Sequence, residues 1–195
     1  VDKLITEYHK IEGNSIISEP AVQYSNNITS FTVPVSVVRD TDYYLNFGRY
    51  LVNKMEFEEG YIPLRDILNP LRLTRPTSED SLFPFIRISE LNADIIDSAK
   101  DLSQNTSKQK GRLLDKPAIL IGKVGGSFKP TWFNASFEVE VSNNIAVLDY
   151  DEEKVFIPYL IQELNSEYVY TQMKLLATGA AIQHLSNEDL LSVKV

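Results

Sequence analysis

KPAILIGKVGG (residues 116–126), EVSNNIAVLDY (140–150) and IPYLIQELNSEYVYTQMKLLATGAAIQHLSNEDLL (157–191) are the stretches whose reading decides the fold. Ala118 to Ile121 is an unbroken apolar run, the pattern of a strand covered on both faces. It leads into Gly122–Gly126, where glycines permit a tight turn or close backbone approach. The run from Phe137 to Tyr150 predicts a second strand, alternating at Phe137, Val139 and Val141 and becoming continuous from Ile145 to Leu148. Asp149, Asp151, Glu152 and Glu153 then precede a helix, where acidic groups favour the positive dipole end and Pro158 suits the first turn. That helix is expected over Phe156 to Ala177, with Leu160, Ile161, Leu164, Tyr168, Leu175 and Leu176 apolar and a break near Asn165-Ser166. Gly179 is expected as its C-cap. Ser186 and Asp189 have the spacing of a capping box with Leu185 as staple, and SVKV (192–195) reads as a short terminal strand.

Working outward, SFTVPVSVV (30–38) alternates at Phe31, Val33, Val35 and Val37 and predicts a strand, with turns at Gly13 and Asn26-Asn27. LFPFIRISEL (82–91) predicts a buried strand with Pro84 at its start, where a missing N–H does little harm. Residues 92–112 are polar and read as a loop after a short helical turn. Strands and helices without regular alternation argue for an α+β fold, a curved mixed sheet flanked by C-terminal helices, plus a small N-terminal accessory segment. The expected division is 1–58 and 59–195.

The composition excludes several classes. With 195 residues, 43% of them apolar, the chain can bury a substantial core. No apolar run is long enough to span a bilayer, and VDKLITEYHK is not a signal peptide, so a soluble cytoplasmic protein is expected. The start at Val1 suggests a fragment or processed chain. Zero cysteines remove disulfides, thiolate zinc and iron–sulfur sites, and two isolated histidines, His9 and His184, cannot build an ordinary zinc site. The Asn-x-Ser/Thr triplets at Asn27, Asn105 and Asn134 carry no weight without a secretion signal. GKVGG is not a P-loop, because Lys123 is followed by Val124 and not by Ser or Thr. The acid cluster at 149–153 lacks the glycine and terminal Glu of an EF-hand. Neither G-x-S-x-G nor G-x-G-x-x-G occurs, and Asn69-Pro70-Leu71 is not an adenine pocket. No catalytic constellation is present, so no residue is assigned a catalytic role.

A net charge of −8 counts against nucleic-acid binding until its distribution is considered. Residues 68–130 carry ten basic against seven acidic groups, while residues 1–67 carry six against ten and residues 131–195 three against ten. A net-positive middle lies between acidic flanks. An ordinary mixed surface would also produce such a fluctuation.

The order and spacing of the three opening stretches, preceded by EEGYIPLRDIL and LFPFIRISEL, resemble the target-recognition domain of the specificity subunit of type I restriction-modification systems, over Gly60 to Val195. DTDYYLNFGRYL is similar to the phrase that closes N6-adenine DNA methyltransferase domains of those systems. It matches at Tyr43, Tyr44, Leu45, Asn46, Arg49 and Tyr50 and departs at Phe47 and Gly48. The alternative is that these aromatics are simply core residues. The resemblance implies sequence-specific duplex DNA binding that directs adenine methylation or cleavage carried by other domains. It also implies a methyltransferase domain or subunit, a restriction or translocase subunit, and a dimer or second recognition domain as partners. S-adenosylmethionine would belong to the methyltransferase, with no cofactor or metal in this chain. Expected DNA contacts, in order, are Lys123, Ser127, Lys129 and Thr131 after the glycine turn, then Lys108, Lys110 and Arg112, then Arg72 and Arg75. His184 is expected as a packed or hydrogen-bonded surface residue. The competing readings are a protein–protein docking domain that uses the acidic flanks and aromatics, and an enzyme whose site straddles upstream sequence.

Overall fold

The computed structural model describes residues 16–20, 30–40, 47–55, 60–75, 83–104 and 111–195. The chain divides into two compact units, Val1–Met55 and Glu56–Val195. In the first, β1 (Ile16–Pro20) pairs antiparallel with β2 (Ser30–Pro34), and helices α1 (Val35–Asp40) and α2 (Phe47–Lys54) follow. The strand expected over 30–38 therefore stops at Pro34, and Val35 to Asp40 are helical. Proline has no N–H to extend a ladder, and the helix lets Val38 pack with Val33 and Tyr50 in a small core. Gly13, Asn26, Asn27 and Tyr43 to Asn46 lie outside the described residues.

The second unit is α+β and holds two mixed sheets. Its strands are β3 (Leu68–Pro70), β4 (Pro84–Ile86), β5 (Ile95–Ile96), β6 (Ser103–Gln104), β7 (Arg112–Leu114), β8 (Ala118–Gly122), β9 (Thr131–Phe133), β10 (Val139–Val141) and β11 (Ile145–Tyr150). One sheet has the order β6-β4-β10-β7 and the other β3-β11-β8-β9-β5. Each has one parallel pair, β4 with β10 and β5 with β9. All five residues of β8 are buried. Ala118 and Leu120 share a core with Leu114, Val139 and Val141 of the other sheet, while Ile119 and Ile121, on the opposite face, are equally inaccessible. This double coverage explains the unbroken apolar run.

The single strand expected over residues 137–150 is two strands in two sheets. Between them Ser142–Asn144 forms a turn: Ser142 Oγ accepts from Asn144 N–H at 3.3 Å, and its carbonyl accepts from Ile145 N–H at 3.1 Å. The Ser-Asn-Asn sequence is turn chemistry, and the switch from alternating to continuous pattern marks the passage from one sheet to the other. Likewise 82–91 is a strand only over Pro84–Ile86. Glu90 Oε2 accepts from Arg87 N–H at 2.9 Å and helps to close a 3-10 turn over Ile88–Glu90. The loop expected at 92–112 contains β5, β6 and a 3-10 turn at Ala99–Asp101.

Helices α3 (Ile157–Leu164), α4 (Glu167–Leu176) and α5 (Asn187–Ser192) close the unit. The break falls at Asn165-Ser166 as expected, and the Ser166 hydroxyl accepts from Val169 N–H at 3.2 Å to start α4. The C-cap of α4 is Ala177 rather than Gly179, because Thr178 and His184 exchange two backbone hydrogen bonds of 2.9 and 2.7 Å that draw the chain out of the helix. Ser186 caps α5 through Asp189 N–H at 3.0 Å, with its hydroxyl donating to the Asp189 carboxylate at 2.7 Å. SVKV makes no strand. Val195 instead exchanges two backbone bonds with Ile62, and the buried Gln172 amide clamps Lys194 N–H and C=O at 2.9 and 2.8 Å. Among the described residues no helix is long and apolar enough to cross a membrane.

Candidate nucleic-acid interface

Strand β8 ends at Gly122, where a Cβ would run into the Ser127 carbonyl. Gly125 and Gly126 follow at φ +77° and +70°, a left-handed pair that reverses the chain. Lys123, between strand and turn, is pinned on both sides. Its N–H donates to Asn144 O at 2.8 Å, and its carbonyl accepts from Leu185 N–H at 2.8 Å. Arg112 opens β7 opposite Val141, and its Nη2 donates to Ser142 O at 3.2 Å and Ile145 O at 2.7 Å. The Arg112 guanidinium therefore holds the Ser142–Asn144 turn through its side chain and Lys123 holds it through its backbone N–H, while Asn143 and Asn144 are exposed. Thr74 bridges Leu113 antiparallel, so Arg75 falls opposite Arg112 as a third cation on this edge.

The electrostatics at the turn are one-sided. Burial lowers the pKa of Arg112, and burial together with the neighbouring Arg112 charge lowers that of Lys123. The ion pairs among described residues are Arg87–Glu90, Lys116–Asp149 and Lys154–Asp151, and none involves either cation. Arg112 Nε is buried with no hydrogen-bond partner among the described residues. Arg112 is compensated only by carbonyl dipoles, the Lys123 ammonium makes no hydrogen bond or ion pair among the described residues, and partly desolvated cations so placed favour an anion that brings its own charge.

The remaining expected contacts separate. Ser127 is half-buried and Lys129 exposed, both beside a groove of about 440 Å³ that Gly125, Gly126 and Tyr170 also line. Thr131 is not a surface contact. It is fully buried, its hydroxyl accepting from Asn92 and Ala93 N–H, both at 3.1 Å, and donating to Lys129 O at 2.9 Å. Alternation on β9 turns Thr131 and Phe133 inward, a consequence of register that residue type could not reveal. Arg72 is exposed on the connection after β3, and among the described residues no hydrogen bond or ion pair ties it to the cluster. Lys108 and Lys110 lie outside the described residues. His184 is exposed and acts through its backbone, bridging both Val124 and Thr178. Exposed beside Arg112 and Lys123 are Asn143 and Asn144, which the sequence reading did not single out and whose signal was the polar interruption between two apolar stretches. Among the described residues no cluster of His, Asp or Glu could hold a metal ion.

No protein-family model matches the chain, and no curated protein matches it. Among solved structures it is similar to a chain from work on complex assembly and conformational transition of the type I R-M system, with 14% identity over 83% of this chain and 40% of that one and a TM-score of 0.48. It is also similar to the HsdS subunit from Thermoanaerobacter tengcongensis, at 14% identity, 82% and 39% coverage and a TM-score of 0.46. The S subunit of the type I restriction-modification system from M. genitalium gives 14% identity, 72% and 36% coverage and a TM-score of 0.36. The chain spans about 40% of the length of the first of these.

Proposed function

We propose that residues 59–195 are a duplex-DNA-binding target-recognition module of a type I restriction-modification system, with methylation and cleavage carried by other domains or subunits. The observation that carries this reading is the Arg112 guanidinium at the Ser142–Asn144 turn, close enough to the half-buried Lys123 to repel its charge and with Arg75 opposite it in register, none of the three with a carboxylate partner in an ion pair among the described residues. The sequence resemblance over Gly60 to Val195 supplies the biological setting. On this reading Arg and Lys hold phosphates, and the exposed Asn143 and Asn144 amides are suited to base edges, since an amide can pair bidentately with adenine. S-adenosylmethionine belongs to the methyltransferase partner. The Asn69-Pro70 sequence here is edge strand β3, paired with Asp149 and Leu148.

The test is a titration of the purified chain with a labelled mixed-sequence duplex across salt. Wild type should bind at low salt and weaken steeply as salt rises. Arg112→Ala with Lys123→Ala should reduce the slope of log K against log salt by about two. No binding at low salt, or a slope unchanged by the double substitution, overturns the reading.

A second reading has its own observation. Phe156 and Tyr159 are 74% and 65% exposed and follow the exposed acids Asp151, Glu152 and Glu153. This face suits a protein partner such as the methyltransferase or a restriction subunit, and its binding would be far less sensitive to salt than phosphate contacts are.

A further inference from the structure

Among the described residues of this unit, two hold a backbone conformation that side-chain-bearing residues avoid: Ala93 at φ +63° and Lys129 at φ +40°. They are far apart in sequence, yet Thr131 bonds both of them and Asn165 bonds Ala93 and Pro130, the residue after Lys129. From within the core, the Thr131 hydroxyl accepts from Ala93 N–H and donates to Lys129 O. From the helix side, Asn165 Nδ2 faces Ala93 O at 3.0 Å, Pro130 O at 2.9 Å and Ile161 O at 2.8 Å. Capping α3 would need only the last of these, so the other two tie the helix break to both strained loops. Asn165 and Ala93 also form the wall between the groove beside Lys129 and a neighbouring one of about 500 Å³ lined by Trp132 and Pro158.

Pro130 sharpens the consequence. A residue before proline is disfavoured in the right-handed helical region, so Lys129 released from its left-handed conformation would become extended and its side chain would swing to another direction. The brace therefore selects between two orientations of an exposed ammonium.

We propose that Asn165 and Thr131 are positioning residues that hold Lys129 aimed at a DNA phosphate. This inference rests on the DNA-binding reading above and concerns the opposite end of the glycine loop from Arg112 and Lys123. Strain persists only where its surroundings over-determine it, and here the Thr131 hydroxyl bonds both strained residues while the two Asn165 amide hydrogens are shared among Ala93 O, Pro130 O and Ile161 O.

A double-substitution cycle on the whole chain tests it with the same labelled duplex. Lys129→Ala and Asn165→Leu, which keeps size, loses both amide hydrogens and adds no charge, should each weaken binding about 3- to 10-fold and lower the salt slope by about one. The combined variant should be no worse than Lys129→Ala alone. If Asn165→Leu does not fold, Thr131→Val takes its place, with Thr131→Ser expected to keep wild-type binding. An unchanged slope in the brace variant, or a full additional loss on the Lys129→Ala background, overturns the proposal. A wild-type chain that does not bind duplex at all overturns the DNA reading itself. Binding that depends on Arg112 and Lys123 but not on Lys129 overturns only the positioning role.

Discussion

Lys116 and Lys123 stand at opposite ends of the same buried strand and meet opposite environments. Lys116 donates to the Asp149 carboxylate at 2.8 Å and is neutralised. Lys123 is half-buried, faces the Arg112 charge, and makes no ion pair among the described residues. One end of β8 is electrostatically closed and the other left open. Stability alone would favour closing both, so the open end is where a ligand of opposite charge is to be sought.

The largest effect should come from removing what both ends share. Leu120→Ala, in the core between the two sheets, should cost about 2 to 5 kcal/mol in denaturant unfolding. A loss well under ~1 kcal/mol would show that β8 is not the centre of the unit. Next, Asn144→Asp would place at the open end what Asp149 supplies at the closed one. Duplex affinity should fall about tenfold at low salt as the new carboxylate competes with phosphate, and an undiminished affinity would break the comparison.

Smaller effects sharpen it. Lys129→Gly should raise stability by about 1 kcal/mol, because glycine adopts positive φ without strain, while duplex binding loses about one phosphate contact. A thermal melt with a salt titration would show whether the two move in opposite directions. With the Lys123 pKa below its ordinary 10.5, the unfolded chain holds more protons between the folded pKa and 10.5. The Lys123 contribution to stability therefore rises with pH across that window, and duplex affinity falls there. Lys123→Arg should remove this alkaline dependence from both measurements. The smallest effect is expected at the closed end. Asp149→Asn should change stability by at most about 1 kcal/mol and leave duplex affinity unchanged, since a half-exposed ion pair contributes little.

Much of the scaffold was legible because its signals are local. The burial of β8, the left-handed Gly125-Gly126 turn, the helix break at Asn165-Ser166 and the Ser186 cap each follow from a few consecutive residues. The misreadings have a common cause. Pro34 ended a strand that alternation would have extended, the Thr178–His184 pairing moved a helix end to Ala177, and Ser142–Asn144 split one expected strand between two sheets. In each, the deciding partner is proline geometry, a distant backbone group or a second sheet, and none of these enters a periodicity count.

The candidate site divides in the same way. Sequence located the positive segment and named Arg75, Arg112 and Lys123 among its cations, because charge and composition belong to the residues themselves. It could not distinguish Lys123 from Lys116, since pairing with Asp149 depends on β8 and β11 lying side by side in register. Nor could it place Thr131 in the core or find the reach of Asn165 to Ala93 and Pro130, which chain topology alone brings together. The amino-acid sequence determined which groups carry charge and which stretches must be buried. Only the tertiary structure decided which charges are cancelled, because a carboxylate compensates a lysine over a few ångströms of space, whatever their separation along the chain.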